Sequence, residues 1–163
     1  MLEPHLKSEL FGMLREHFRL DWRGIHGAPH WARVRRNGLL LAEGNGARPD
    51  VVECFALLHD SQRLDDRTDR QHGARAADFV CRINEDYLHL DPTGLDMLAH
   101  ACRFHSDGLM EADVTIQTCW DADRLDLGRV RIRPDPRRLC TPHARQPEVL
   151  NSAYLRSVRT GRN

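Results

Sequence analysis

The chain has 163 residues, 40% hydrophobic and 29% charged. That length can bury one core without disulfide or metal staples, and the balance excludes a disordered or fibrous protein. The formal charge is zero, from 24 basic and 24 acidic residues.

Helical spacing dominates, β-branched alternation is scarce, and no internal repeat or linker interrupts the chain. From Leu6 to Arg19, the residues Leu6, Leu10, Phe11, Leu14 and Phe18 recur every three or four positions and predict a first helix. A loop over Asp21–Ala28 follows, with Gly24 and Gly27. Pro29 suits the first turn of a second helix, which runs to about Glu43 and stops at Gly44-Asn45-Gly46. Pro49 and Asp50 open a third, apolar helix that ends near His59-Asp60. The charged stretch Ser61–Arg70 predicts an exposed loop. Further helices are predicted over Gly73–Tyr87, Pro92–Phe104 and Val114–Leu127. Pro134, Pro136, Pro142 and Pro147 then break the chain into turns, with a last short helix over Glu148–Val158. The expected fold is all-α, a single domain over 1–163 with an Arg/Pro-rich C-terminal extension over 131–163.

Charge is unevenly spread along this plan. Residues 128–163 hold nine arginines (Arg129, Arg131, Arg133, Arg137, Arg138, Arg145, Arg156, Arg159, Arg162) against Asp135 and Glu148. Such a segment could steer a phosphorylated ligand, but the plainer expectation is a solvated tail partly packed on an acidic body. Its arginines are not interleaved with a run of aromatics, which argues against nucleic acid. The five cysteines are odd in number and form no CxxC pair, so buried free thiols in a reducing compartment are expected. No apolar h-region opens the chain, and the longest apolar run, near Leu39–Ala42, is too short to span a bilayer. A cytoplasmic protein without a membrane partner is expected.

Ten histidines are present, and their placement matters more than their number. His30 sits in the first turn of the second helix. His59 and Asp60 end the third helix straight after Leu57-Leu58. A carboxylate there costs several kcal/mol, at the order-of-magnitude level, unless it is paired or binds a metal. Imidazole with carboxylate suits Zn, Mn or Fe. Downstream, Trp120-Asp121-Ala122-Asp123-Arg124-Leu125-Asp126 places acids inside an otherwise apolar helix. His26 lies in the loop before His30, where it could contact substrate or act as an acid. Arg63, three residues past Asp60, could hold phosphate oxygens, as could Arg35 or Arg36, although a solvated helix face accounts for the last two. The chain has no GxGxxG, GxxxxGK[ST], HExxH or GxSxG.

Taken in order, His30, His59-Asp60 and Asp123 within Ala122-Asp123-Arg124 resemble the H…HD…D signature of the HD-domain phosphohydrolases, over about residues 25–130. The resemblance implies an HD-domain-like helical bundle with a metal site at its centre. It also implies that His30, His59, Asp60 and Asp123 ligate a first metal; the choice of Asp123 over Asp121 rests on it. His72, just before the fourth helix, and His105, at the end of the fifth, stand where binuclear members hold a second metal, with the aspartate of the HD pair bridging. A surface or capping histidine is the alternative for each. His100, five residues before His105, is expected in the core or behind the ligands. Arg124 is expected to orient a neighbouring carboxylate, and Trp31 and Trp120 to shield the site or pack the core.

The activity so implied is hydrolysis of a small phosphate ester, such as a nucleotide, by metal-activated water, with one or two Mn, Fe, Zn or Mg ions. Asp60, His26 and Arg63 are the expected catalytic residues, with Asp121 or Asp107 as other candidates for the acid. Two rivals stand beside this. A di-iron oxygenase of the same superfamily shares the ligand order, and a non-catalytic domain could hold a structural metal or a nucleotide. Residue patterns leave the oligomeric state open.

Overall fold

The computed structural model describes residues 3–159. Arg162 and the Arg159 side chain lie outside the described residues. Among the described residues there are seven α-helices and no strand: α1 (Pro4–His17), α2 (Ala28–Asn45), α3 (Pro49–Leu58), α4 (His72–Ile83), α5 (Pro92–Phe104), α6 (Val114–Arg124) and α7 (Pro147–Arg159). The molecule is an all-helical bundle. No described helix is long and apolar enough to cross a membrane.

The centre of the bundle is α3. Every residue from Val51 to Ser61 is buried, as expected of a helix that is apolar all round and so has no face to give to water. It packs against α2, α5 and α6. Its buried acid, Glu53, is 0% exposed and is closed by Lys7 at 2.5 Å and Arg35 at 2.6 Å. Arg35 is therefore spent on a core carboxylate, whereas Arg36 stays on the exposed face of α2. Where α2 crosses α3, Gly38 has no side chain because a Cβ would lie 2.5 Å from Val52.

Elements begin and end where local chemistry says they should. Prolines sit in the first turns of α1, α2, α3 and α5. Asp91 and Asp113 cap α5 and α6 by accepting from Gly94 N and Thr115 N, each at 2.8 Å. Two helices stop earlier than their apolar spacing suggests. α4 gives way at Ile83 to a π-helical turn over Asn84–Leu88, and Asn84 ties that turn to Leu90 through both side-chain groups. α6 stops at Arg124 because Asp126 N turns back to Asp123 O at 2.8 Å, tightening the chain into a short 3-10 turn over Leu127–Val130.

The C-terminal segment is not a solvated tail. Leu139, Ala144 and Ala153 form a small second core with Leu41 and Leu125. Asp121 anchors the segment from within α6, accepting from Cys140 N at 2.6 Å, Thr141 N at 2.8 Å and Thr141 Oγ at 2.8 Å. All five cysteines are free thiols, four of them buried.

Candidate metal centre

Because α3 is buried on every side, its C-terminal end lies in the interior, and the two residues that follow, His59 and Asp60, are 0% and 2% exposed. Its neighbours bring the remaining groups to that point. His30 enters from the first turn of α2, His72 opens α4, His105 follows the last residue of α5, and Asp123 sits one residue before the end of α6. Gly73 makes one of these approaches possible. A Cβ there would lie 2.7 Å from the carbonyl oxygens of both Cys102 and Arg103, so only glycine lets α4 start against the end of α5.

The four imidazoles are held alike, Nδ1 to an oxygen and Nε2 inward. His59 Nδ1 donates to Phe55 O at 3.0 Å, His105 Nδ1 to Cys102 O at 2.7 Å, and His72 Nδ1 to Asp69 O. His30 Nδ1 instead donates to Asp126 Oδ2 at 2.7 Å. A carbonyl carries no proton, so Nδ1 must carry it and the inward Nε2 of a neutral ring is a bare lone pair. Those lone pairs face one another, His30 Nε2 to His59 Nε2 at 3.0 Å and His72 Nε2 to His105 Nε2 at 2.9 Å. Two lone pairs at such a separation repel unless a proton or cation lies between them. Nitrogens about 2.1 Å from one ion and at right angles stand about 3 Å apart.

Asp60 lies between the pairs. Its Oδ2 is 3.6 Å from His30 Nε2 and 3.5 Å from His59 Nε2, while its Oδ1 is 3.5 Å from both His72 and His105 Nε2. Asp123 Oδ1 is 3.4 Å from His30 Nε2 and 3.9 Å from His59 Nε2, and is buried with no hydrogen-bond partner among the described residues. Three sets, His30/His59/Asp60, His59/His105/Asp123 and Asp60/His72/His105, each gather ligand atoms within 4.8 Å. These buried His and Asp groups could hold a metal ion.

The electrostatics match that donor set. Burial pushes His59 down to about 3 and also lowers His72, so both rings remain neutral near pH 7. Burial opposes charge on Asp60 but is outweighed by His59, His105 and His30, which hold it well below the usual carboxylate range. Asp123 likewise falls to about 2 against the pull of burial, chiefly through Arg129 and His59. His105 is also pulled down by burial, yet hydrogen bonding and charge from Asp60 raise it overall. The anionic oxygens of Asp60 and Asp123 beside the neutral imidazoles of His59 and His72 are the deprotonated ligands a divalent cation requires.

The centre opens onto a cavity of about 810 Å³ lined in part by Asp60, His72, His105, Asp123, His26 and Arg63. His26 is 7% exposed and its Nδ1 lies 2.7 Å from Asp66 Oδ1. Burial lowers its pKa, opposed by Asp60 and Asp66. It belongs to none of the ligand sets. Arg63 Nε donates to Asp60 Oδ1 at 3.1 Å, and its Nη1 is buried without a hydrogen-bond partner among the described residues.

Other expectations need correction. Asp121 does not line the cavity, and three donors from Cys140 and Thr141 consume its oxygens. Asp107 is exposed and is not among the residues lining the cavity. Arg124 does not orient a carboxylate; it donates to Leu109 O at 2.6 Å and Arg138 O at 3.0 Å, clamping two loops together. His100 is exposed and leans on the rings of Phe104 and Trp120, because five residues of α5 turn it away from His105. Trp31 and Trp120 are fully buried core residues, Trp120 Nε1 donating to Ala101 O at 3.1 Å.

Asp126 and its partners carry no separate signal along the chain. Asp126 is 1% exposed and grips His30 from behind, and the Arg33 fork holds it in turn at 2.6 and 3.0 Å. This is the carboxylate–histidine arrangement that orients a metal ligand. Its only sequence cue is a second aspartate three positions after Asp123. No protein-family model, curated protein or solved structure matches this chain.

Proposed function

We propose that this chain is a metal-dependent phosphohydrolase of the HD-domain type, with two divalent ions, one held by His30, His59, Asp60 and Asp123 and the other by Asp60, His72 and His105. The observation that carries this reading is the position of Asp60, one oxygen toward each pair of facing imidazole lone pairs. Divalent ions, when bound, lower the pKa of a water toward neutrality and offset charge on phosphoryl oxygens.

The chain's own residues supply the remaining work. Arg63 lines the cavity with an unspent Nη1, suited to a phosphoryl oxygen of the substrate. His26 holds its Nδ1–H on Asp66, and it can protonate the leaving-group oxygen from Nε2 only once a second proton makes it an imidazolium. Leu127, Ile132 and Leu139 in the cavity wall limit water around a bound ester. Five free thiols among the described residues accord with a reducing compartment such as the cytoplasm.

The test is metal content by elemental analysis, wild type against Asp60→Ala, with hydrolysis of a phosphoester panel under Mn, Fe, Zn and Mg. A metal-to-chain ratio near two that collapses in the variant, together with hydrolysis in the wild type, is the expected result. A ratio near one would remove His72 and His105 from the ligand set. Substrate-dependent oxygen uptake with iron, and no hydrolysis, would replace the reading with oxygenase chemistry. Failure to bind any of these metals would sink it.

A further inference from the structure

The cavity is far larger than a single phosphoryl group needs. Its volume of about 810 Å³ falls among pockets that enclose whole small molecules. Six arginines line it, Arg63, Arg124, Arg129, Arg133, Arg137 and Arg138, against Asp60, Asp123 and Asp135. Arg63 and Arg129 stand at the metal centre, 3.1 Å from Asp60 and 3.8 Å from Asp123. Arg133, Arg137 and Arg138 arrive on the turn that follows.

That turn is built, not loose. Pro134 and Pro136 restrict its backbone. Asp135 accepts from Arg137 N at 2.9 Å and grips the Arg137 guanidinium at 2.9 and 3.2 Å. Arg124, the residue after Asp123, donates to Arg138 O at 3.0 Å, and Asp121, two residues before it, accepts from Cys140 N at 2.6 Å. The turn is thus pinned to the same end of α6 that carries Asp123, within one side chain's reach of it. Most of its cations are already engaged: Arg133 donates to Asn151 at 2.6 Å and lies over Tyr154, and Arg137 is taken by Asp135. Arg138 is different. Its side chain is exposed in the cavity wall and makes no hydrogen bond, ion pair or ring contact with the described residues.

We propose that Arg138 is the core of a second anion site, and that the substrate carries two separated anionic groups, one at the metal centre with Arg63 and one at Arg138. A guanidinium fork takes a phosphate or carboxylate through two parallel bonds. Leu127, Ile132 and Leu139 in the same wall suit an uncharged body joining the two groups. This rests on the phosphohydrolase reading only for which of the two groups reacts.

Calorimetric titration of the full chain, with and without Mn, tests it using an alkyl monophosphate and the α,ω-bisphosphate of the same chain length. The wild type is expected to bind the bisphosphate about tenfold more tightly, the scale of one charge-assisted hydrogen-bonded contact. That preference vanishes in Arg138→Ala and partly survives in Arg138→Lys, while monophosphate affinity stays unchanged. Arg138 is exposed, so the variants fold. Equal affinities in the wild type, binding of neither ligand, or a preference that survives Arg138→Ala would overturn the proposal. Monophosphate hydrolysis without a bisphosphate preference would remove this site and leave the phosphohydrolase reading standing. A bisphosphate preference without turnover of any ester would do the reverse.

Discussion

Behind His30 stands a carboxylate, Asp126, itself forked by Arg33; behind His72 and His105 stand only the backbone carbonyls of Asp69 and Cys102. The two halves of the centre therefore share Asp60, one oxygen toward each, but not a support. The half at His30 and His59 has Asp123 as an additional oxygen donor, and neither imidazole lines the cavity. The half at His72 and His105 has Asp60 Oδ1, which Arg63 also engages, and both imidazoles line the cavity. A carboxylate behind an imidazole raises its basicity more than a carbonyl does. Under the proposed two-ion reading, richer donors and stronger support would make the first half the tighter site, and exposure to the cavity would make the second the exchangeable one nearer a substrate.

The strongest way to break this comparison is to remove one half. His105→Ala should lower the metal-to-chain ratio from two to one and reduce phosphoester turnover by at least about a hundredfold, since a Lewis acid contributes several kcal/mol. His59→Ala should instead empty the tighter half. Equal residual metal affinity in the two variants would show the halves to be equivalent. Next in size, Asp126→Ala should weaken the tighter ion by about ten- to a hundredfold, with Asp126→Asn between it and the wild type. Competitive chelator titration measures this, and an unchanged affinity would show that the carboxylate merely fills space.

A smaller, graded effect belongs to the metal-free chain. His59 is held down to about 3 from an ordinary 6.5, so between these values the unfolded chain binds a proton that the folded chain refuses. Stability from this group is present above about 6.5 and lost as pH falls toward about 3. Asp123, held down to about 2 from 3.8, acts in the same direction at lower pH. Urea unfolding in the presence of chelator should show stability declining through this range, and a flat profile would contradict the buried, neutral state of His59. Smallest of all, Gly73→Ala should cost on the order of 1–3 kcal/mol, because two carbonyl oxygens of α5 must give way. Its metal loss should fall on the His72–His105 half alone.

Much of this molecule is written locally. Helix positions follow from apolar spacing and from prolines in first turns, and α5 runs over Pro92–Phe104 as that spacing predicts. His59 and Asp60 stand out because an imidazole and a carboxylate straight after an apolar helix have a cost to explain, whereas His30, His72, His105 and Asp123 are joined to them by the resemblance to the H…HD…D signature. Where α4 and α6 fell short of expectation, local hydrogen bonds had the last word: the Asn84 side chain closes a π-turn, and Asp126 N bends the chain back to Asp123 O.

What the chain alone determined, then, was an all-helical bundle and the chemical identity of its buried polar groups, since both depend on residue type and short-range spacing. Only the tertiary structure decided how those groups are oriented and what surrounds them. The contact of His30 with Asp126 spans 96 positions, the Asp121 carboxylate is consumed by a segment 20 positions away, and Arg124, Arg129, Arg133, Arg137 and Arg138 line the cavity beside the centre. Periodicity is a property of neighbours three and four residues apart, whereas a hydrogen-bonded support depends on how whole helices cross. The crossing of α2, α3 and α6 at Gly38 brings those distant partners within reach.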